Sequence, residues 1–277
     1  MSVVYRSTPE PGPNEILIRV KAVALNPVDY VQRDLGMPPV PSYPAVVGSD
    51  VAGFVAKVGS GVSNAPPLGN RVIAFASSFY QNGSPDHVGR RHCPPEALSF
   101  EQGAVLPLAA LTALSGWTTI GIPLDTRLTS EDKQAVLIWG GASSSLGFTV
   151  YAAASVKNHE YLKQLGEDVV FDCGERDVVS QIVDKAQKDG VTLHMAYCVV
   201  EGSLQPTLDV LKNIKGGSIV KVAYAPPLRP GAPSLEGLRS VVPSPRIQVE
   251  AGGLEGLNEA LGKLKAGVSG TKIVAPI

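Results

Sequence analysis

The sequence predicts an α/β protein in two parts, a β-rich domain and a doubly wound domain built on a parallel sheet. Two patterns lead there. Short strands separated by glycine and proline turns fill the first hundred residues, and strands alternate with helices from Gln134 to Tyr224. A chain of 277 residues has material for two ordinary domains, each with its own core.

In the first part the turn PEPGPN leads into EILIRVKAVAL, where apolar and other residues alternate as in a half-buried strand. VAGFVAKVGSGV and NRVIAFA repeat the rhythm with glycine breaks, as in a partly closed barrel. SFEQGAVLPLAALTALSGW follows, with Ser99 as N-cap and Gln102 at the capping-box distance; its small and apolar residues predict a helix buried on more than one side.

The second part opens with the strand AVLIWGG and continues with strand TVYAAAS, helix HEYLKQLG, strand VVFDC, helix DVVSQIVDKAQKDG, strand HMAYCVV, helix LQPTLDVLKNIKGG and strand SIVKVAY. Val178, Val179, Ile182, Val183 and Ala186 share one helical face that ends at Gly190. Leu204, Leu208, Leu211 and Ile214 form the same kind of stripe in the next helix. After Pro243, GLEGLNEALGKLKAG is an amphipathic helix through Leu254, Leu257, Leu261 and Leu264, and KIVAPI is a closing strand able to return to the β-rich part. No internal repeat is visible.

Composition narrows the function. With 24 Lys and Arg against 25 Asp and Glu, and no basic run, nothing suggests nucleic acid or anionic lipid as a partner, so a small molecule is expected. Cys93, Cys173 and Cys198 are scattered and odd in number, which offers neither a disulfide framework nor a metal knuckle and fits a reducing, cytoplasmic setting. No apolar stretch reaches membrane-spanning length, and MSVVYRSTPEPGPNE lacks the basic start and hydrophobic run of a signal peptide.

One turn carries chemistry. A strand ending in Gly140-Gly141 and followed by Ala142, Ser143, Ser144 and Ser145 suits a phosphate, because glycine lets the backbone approach while hydroxyls and amides donate to an anion. The next strand ends Ala154-Ser155-Val156-Lys157, where an acidic residue would bind a ribose hydroxyl of NAD. Ser155 and Lys157 favour the 2′-phosphate of NADPH instead; Lys157 fits equally a solvated residue near a helix start. His87 and His92 fall in loops, His159 starts a helix as an exposed residue, and His194 precedes a buried strand; no pair has helical metal-site spacing.

In order along the chain, PGPNEILIRVKAVALNPVDYVQRD, PAVVGSDVAGFVAKVGSGV, FEQGAVLPLAALTALSGW, VLIWGGASSS, FTVYAAASVKNHEYLKQLG and VSGTKIVAP resemble the zinc-independent medium-chain dehydrogenase/reductase superfamily, nearest its quinone-oxidoreductase-like and fungal trans-acting enoyl reductase branch. The resemblance implies a GroES-like substrate domain over residues 1–115, completed by 250–277, and a Rossmann domain over 116–249, with NADPH in the cleft between them. It implies that Asn26 and Asp29, in the NPVD segment, floor that cleft and that the Thr112 hydroxyl lies by the cofactor. Gly140, Gly141, Ser143 and Ser144 would form the pyrophosphate turn, and Ser155 with Lys157 the 2′-phosphate pocket. It also implies that no metal is held: zinc-dependent relatives place a Cys in the stretch matching Asn26 to Asp29 and a His-Glu pair at Gly48-Ser49-Asp50.

The chemistry implied is hydride delivery to an activated carbon-carbon double bond of an enone, quinone or enoyl thioester, with charge developing on the carbonyl oxygen. Tyr30, His87 and Thr112 are the candidate proton donors. Many relatives read NPVDWK, whereas Val31 follows Tyr30 here, so that lysine's contribution is missing. Expected partners are a small substrate or a polyketide synthase carrier protein, and the expected state is monomer or homodimer.

The chain departs from the family after the glycine turn. Relatives open that turn into a helix of about a dozen residues, and parallel neighbours need a crossover of that order; here Leu146-Gly147 stand as that helix's far end joined directly to the turn. Two expectations follow: weakened hold on a pyrophosphate, for want of a helix N-terminus, and an exposed apolar face on the first two strands. They keep open a reading from another class, a degenerate non-catalytic homologue that serves as an interaction module.

Overall fold

The computed structural model describes residues 2–5, 7–39, 45–76, 90–92, 98–123, 125–140, 148–167, 169–214, 221–224, 246–268 and 271–277, with backbone alone at 90–92, 130 and 246. In chain order the elements are β1 (Ile16–Ala24), α1 (Pro27–Leu35), β2 (Asp50–Val58), β3 (Arg71–Phe75), β4 (Arg90–His92), α2 (Phe100–Ala104), α3 (Leu106–Thr119) and β5 (Gln134–Trp139). Then come β6 (Thr149–Ala154), α4 (His159–Gln164), β7 (Val169–Asp172), α5 (Val178–Asp189), β8 (Thr192–Cys198), α6 (Leu204–Asn213), β9 (Lys221–Tyr224), β10 (Arg246–Val249), α7 (Gly253–Ala266) and β11 (Thr271–Pro276). They divide into two compact units, Met1–Leu108 with Pro245–Ile277, and Ala109–Ser244.

The first unit holds a six-stranded sheet in the order β10-β11-β1-β2-β3-β4. The closing strand returns to it as expected: β11 pairs antiparallel with β1, with Val23 opposite Ala275, and parallel with β10. Over one face lies α2, held by the capping box read from the sequence, in which Gln102 N–H donates to Ser99 Oγ at 3.2 Å and Ser99 N–H to Gln102 Oε1 at 2.9 Å. The expected single helix is broken at Val105 into α2 and α3. Ala22, Ala24, Ala52, Ile73, Ala104, Val105 and Val274 form the core beneath.

Helix α1 went unread in the sequence. Its signature is local: Asn26 caps, Pro27 takes the first helical position where its missing N–H is no loss, Asp29 completes the box, and Gly36 ends the helix in the left-handed conformation at φ 65°. It packs with α7 through Leu25, Ala260, Leu261 and Ile273, joined by Tyr30, Leu257 and Leu264. Leu254, expected in that stripe, is instead half exposed, because it sits in the first turn of α7 at its edge.

The second unit is a five-stranded parallel sheet, β7-β6-β5-β8-β9. One face packs Leu137, Trp139, Tyr151, Ala153 and Ala196 against Ile182 and Ala186 of α5 and Val210 and Leu211 of α6. The buried stripe of α6 is Thr207, Val210, Leu211 and Ile214, turned from the expected one so that Leu204 and Leu208 lie at its margin.

On the other face, Val136, Ile138, Val150, Ala152 and Ala154 are all buried. That corrects the expectation of an exposed apolar surface on the first two strands. Trp117, Ile120 and Ile122, from the end of α3 and the turn after it, pack against this face, and the Phe148 ring stacks on Trp117 with centroids 6.0 Å apart at 8°. Strands β5 and β6 are parallel neighbours with nine residues between Trp139 and Thr149, fewer than a helical crossover takes.

Candidate functional site

In the second unit the strand order defines the place. From β5 the chain proceeds outward through β6 and β7, then returns to β8 and β9 on the opposite side, so the order reverses between β5 and β8. Open α/β sheets bind ligands outside the carboxyl ends of the strands at such a reversal. Gly140 stands there, directly after β5. Its φ is +88°, its N–H donates to Ala153 O at 2.8 Å, and a β-carbon on it would lie 2.6 Å from Val200 Cγ2, beyond the end of β8. Only glycine fits this position.

At the same end of the sheet, Ser155 follows β6 and precedes a short 3-10 turn, Val156–Asn158; both Ser155 and Lys157 are exposed. His159, expected to be exposed, is half-buried and donates from Nε2 to Ala154 O at 2.9 Å, which fixes the chain where β6 gives way to α4. Gly141, Ser143 and Ser144 lie outside the described residues, as does His87. His194 lies within β8, half-buried. Thr112 is buried in the middle of α3.

In the first unit, Asn26 and Asp29 meet at the start of α1, with two partners the sequence did not single out for this role. Asn26 N–H donates to Asp29 Oδ2 at 2.7 Å. Asn26 Nδ2 donates to Asp50 Oδ2 at 3.0 Å, and Lys272 Nζ donates to the same oxygen at 3.0 Å and also to Asn26 Oδ1. Asp50 Oδ1 accepts the N–H of Leu108 at 2.7 Å. All four side chains are buried. Burial pushes the Asp29 carboxyl up to about 7, against the pull of the Asn26 N–H and the Lys272 charge, and Asp50 adds to the rise. Lys272 had one visible signal, a lone lysine inside the apolar run KIVAP; Tyr30, offered as a proton donor, belongs to the packing between α1 and α7.

Among the described residues no three His, Cys, Asp or Glu side chains converge as a metal site, and no helix is long and apolar enough to cross a membrane. A β-rich sheet closed by the C-terminal strand, together with a parallel sheet bearing glycine at its order reversal, is the architecture of two-domain dinucleotide-dependent oxidoreductases.

Comparison with known proteins agrees. Residues 12–113 match the alcohol dehydrogenase GroES-like domain. The trans-enoyl reductase tndF of Aspergillus flavipes is 51% identical over 329 aligned residues that take in all of this chain and 95% of the relative; the alignment is longer than the chain, so the relative carries blocks that this chain lacks. The trans-enoyl reductase tazE of Aspergillus terreus is 60% identical over 258 residues, 85% of either protein. Among solved structures, an alcohol dehydrogenase superfamily protein from Novosphingobium aromaticivorans superposes with a TM-score of 0.74 at 20% identity, covering 99% of this chain and 95% of that one. The Escherichia coli quinone oxidoreductase complexed with NADPH gives 0.57 at 24% identity over 75% and 64%. The chain belongs to the medium-chain dehydrogenase/reductase superfamily, in its quinone-oxidoreductase-like and trans-acting enoyl reductase branch, and is by that membership an oxidoreductase.

Proposed function

We propose that the protein is an NADPH-dependent, zinc-independent reductase of activated carbon-carbon double bonds in enones, quinones or enoyl thioesters. The observation that carries the reading is Gly140, a position that admits no side chain, at the strand-order reversal of the parallel sheet. Two relatives named trans-enoyl reductases and a structural neighbour complexed with NADPH support it.

When bound, the nicotinamide supplies a hydride. The protein's own residues do the rest. Gly140 lets the backbone turn close to a pyrophosphate, and Ser155 and Lys157 offer a hydroxyl and an ammonium to a 2′-phosphate, where an NAD site would present an acid. Asn26 would orient the substrate, and Thr112 the cofactor. Zinc independence is supported by Lys272: its ammonium is bonded to both Asn26 and Asp50, in the segments where zinc-dependent relatives carry ligands, and a positive charge there opposes a cation.

The experiment is loss of reduced-nicotinamide absorbance with NADPH or NADH against enones, quinones, a free enoyl thioester and the same thioester on a carrier protein. Turnover with NADPH alone supports the reading, and reduction only of the carrier-bound thioester makes the carrier protein the partner. The second reading, a non-catalytic interaction module, is favoured by the nine-residue link between β5 and β6. It requires that neither nucleotide is bound or consumed.

A further inference from the structure

We propose that Lys272 is a positioning residue that joins the closing strand β11 to the start of α1, and that the joint holds only while Asp29 keeps its proton. Two buried carboxylates, Asp29 and Asp50, share one buried base. Lys272 Nζ spends its hydrogen bonds on Asp50 and Asn26 and makes none to Asp29. Asp50 is fully engaged, with one oxygen taking Lys272 and Asn26 and the other the N–H of Leu108. Asp29 is different: Oδ2 accepts the Asn26 N–H, and Oδ1, sealed from water, has no hydrogen-bond partner among the described residues.

Among the described residues, nothing else packed on α1 supplies a countercharge. On α1 and α7, Asp34 takes Arg33 at 2.6 Å and Lys265 at 2.7 Å; Lys263 is bonded to Glu250 and Glu259. Among the described residues, the charged groups facing Asp29 are Asp50 from β2 and Lys272 from β11. An anion enclosed without its own counterion is costlier than the neutral acid, so the proton goes to Asp29, on the free Oδ1. The rise of that carboxyl to about 7 agrees.

The sign of the pH effect follows. The folded state holds the Asp29 proton up to about pH 7, while the unfolded chain releases it near 3.9, so between those values the native state binds more protons. This group's contribution therefore falls as pH rises from about 4 to about 7 and then levels. Once Asp29 ionises, two carboxylates compete for one ammonium, and Lys272 no longer holds Asn26.

The stability arm of the test needs no enzyme activity: urea unfolding of the full chain at pH 5 and pH 8 for wild type, Asp29→Asn, Lys272→Met and Lys272→Arg. Asp29→Asn, a neutral stand-in, is expected to match wild type at pH 5 and to exceed it at pH 8, with a relative gain in folding constant of about 100-fold. Lys272→Met is expected to lose more at pH 8 than at pH 5, because above pH 7 the ammonium offsets two buried carboxylates and below it one, and Lys272→Arg to restore most of it. The proposal is overturned if Asp29→Asn is the less stable protein at pH 8, or if Lys272→Met is equally damaged at both pH values. Should Lys272→Met not fold at all, the Asp29→Asn comparison decides alone.

An activity arm rests on the proposed function. Lys272→Met should lower kcat with little change in KM for NADPH, because the candidate cofactor residues belong to the other unit, and Arg should rescue it; a changed KM with unchanged kcat contradicts the positioning role. If wild type consumes no NADPH, the functional reading fails and the stability arm still judges the lock.

Discussion

Val200 fills the space that a β-carbon on Gly140 would need: its Cγ2 lies 2.6 Å and its Cβ 2.9 Å from that point. Gly140 also sits at φ +88°, which L side chains rarely adopt. Gly140→Ala therefore meets strain and overlap together and should cost about 2–4 kcal/mol of stability by urea unfolding. Under the proposed function it should also abolish NADPH binding, measured by fluorescence titration. Gly140→Ala/Val200→Ala removes the overlap and leaves the strain, so it should recover part of the stability.

Ser155 and Lys157 are exposed at the end of β6, so changing them should leave the fold intact. Ser155→Asp with Lys157→Ala replaces a hydroxyl and an ammonium by a carboxylate. The KM for NADPH should rise by about 10–100-fold while that for NADH stays or falls, as the added 2′-phosphate is repelled. Steady-state kinetics with both nucleotides checks this; equal effects on the two would remove Ser155 and Lys157 from a phosphate pocket.

Trp117 covers the sheet face over β5 and β6, stacked on Phe148. Trp117→Ala should lower stability by about 3–5 kcal/mol, through lost burial and the cavity left behind, and should raise binding of a hydrophobic dye at the uncovered face. Unchanged dye binding would mean that other groups cover these strands.

Two tyrosines set up the same substitution with opposite outcomes. Tyr151 OH donates to Asp189 Oδ2 at 2.5 Å, beside the ion pair of Asp189 with Lys185, so Tyr151→Phe should cost about 1–2 kcal/mol. Tyr197 OH is buried with no hydrogen-bond partner among the described residues. Removing an unsatisfied hydroxyl should leave stability unchanged or raise it by up to about 1 kcal/mol. Thermal unfolding of the two variants side by side tests the contrast.

The parts legible in the sequence are those whose cause is local. The capping box at Ser99 and Gln102, the Gly190 stop of α5 and the alternation of the parallel unit each depend on neighbours a few residues away. Helix α1 has an equally local signature in Asn26, Pro27, Asp29 and Gly36, but it is a short helix of nine residues without a long apolar period to announce it. The true stripe of α6 and the exposure of Leu254 depended on which way each helix turns against its sheet, which a periodic pattern leaves open by one position.

By itself the sequence determined two domains, the closing strand, the glycine at the end of β5 and the presence of Asn26 and Asp29 in one turn, because propensity, capping and alternation act over short stretches. Tertiary structure alone decided that Lys272 lies against Asp50 and Asn26, residues more than two hundred positions away, and that Trp117 covers β5 and β6. Both are consequences of burial, in which a charge or an apolar face accepts whatever neighbour the fold delivers, and no local pattern encodes which neighbour that is.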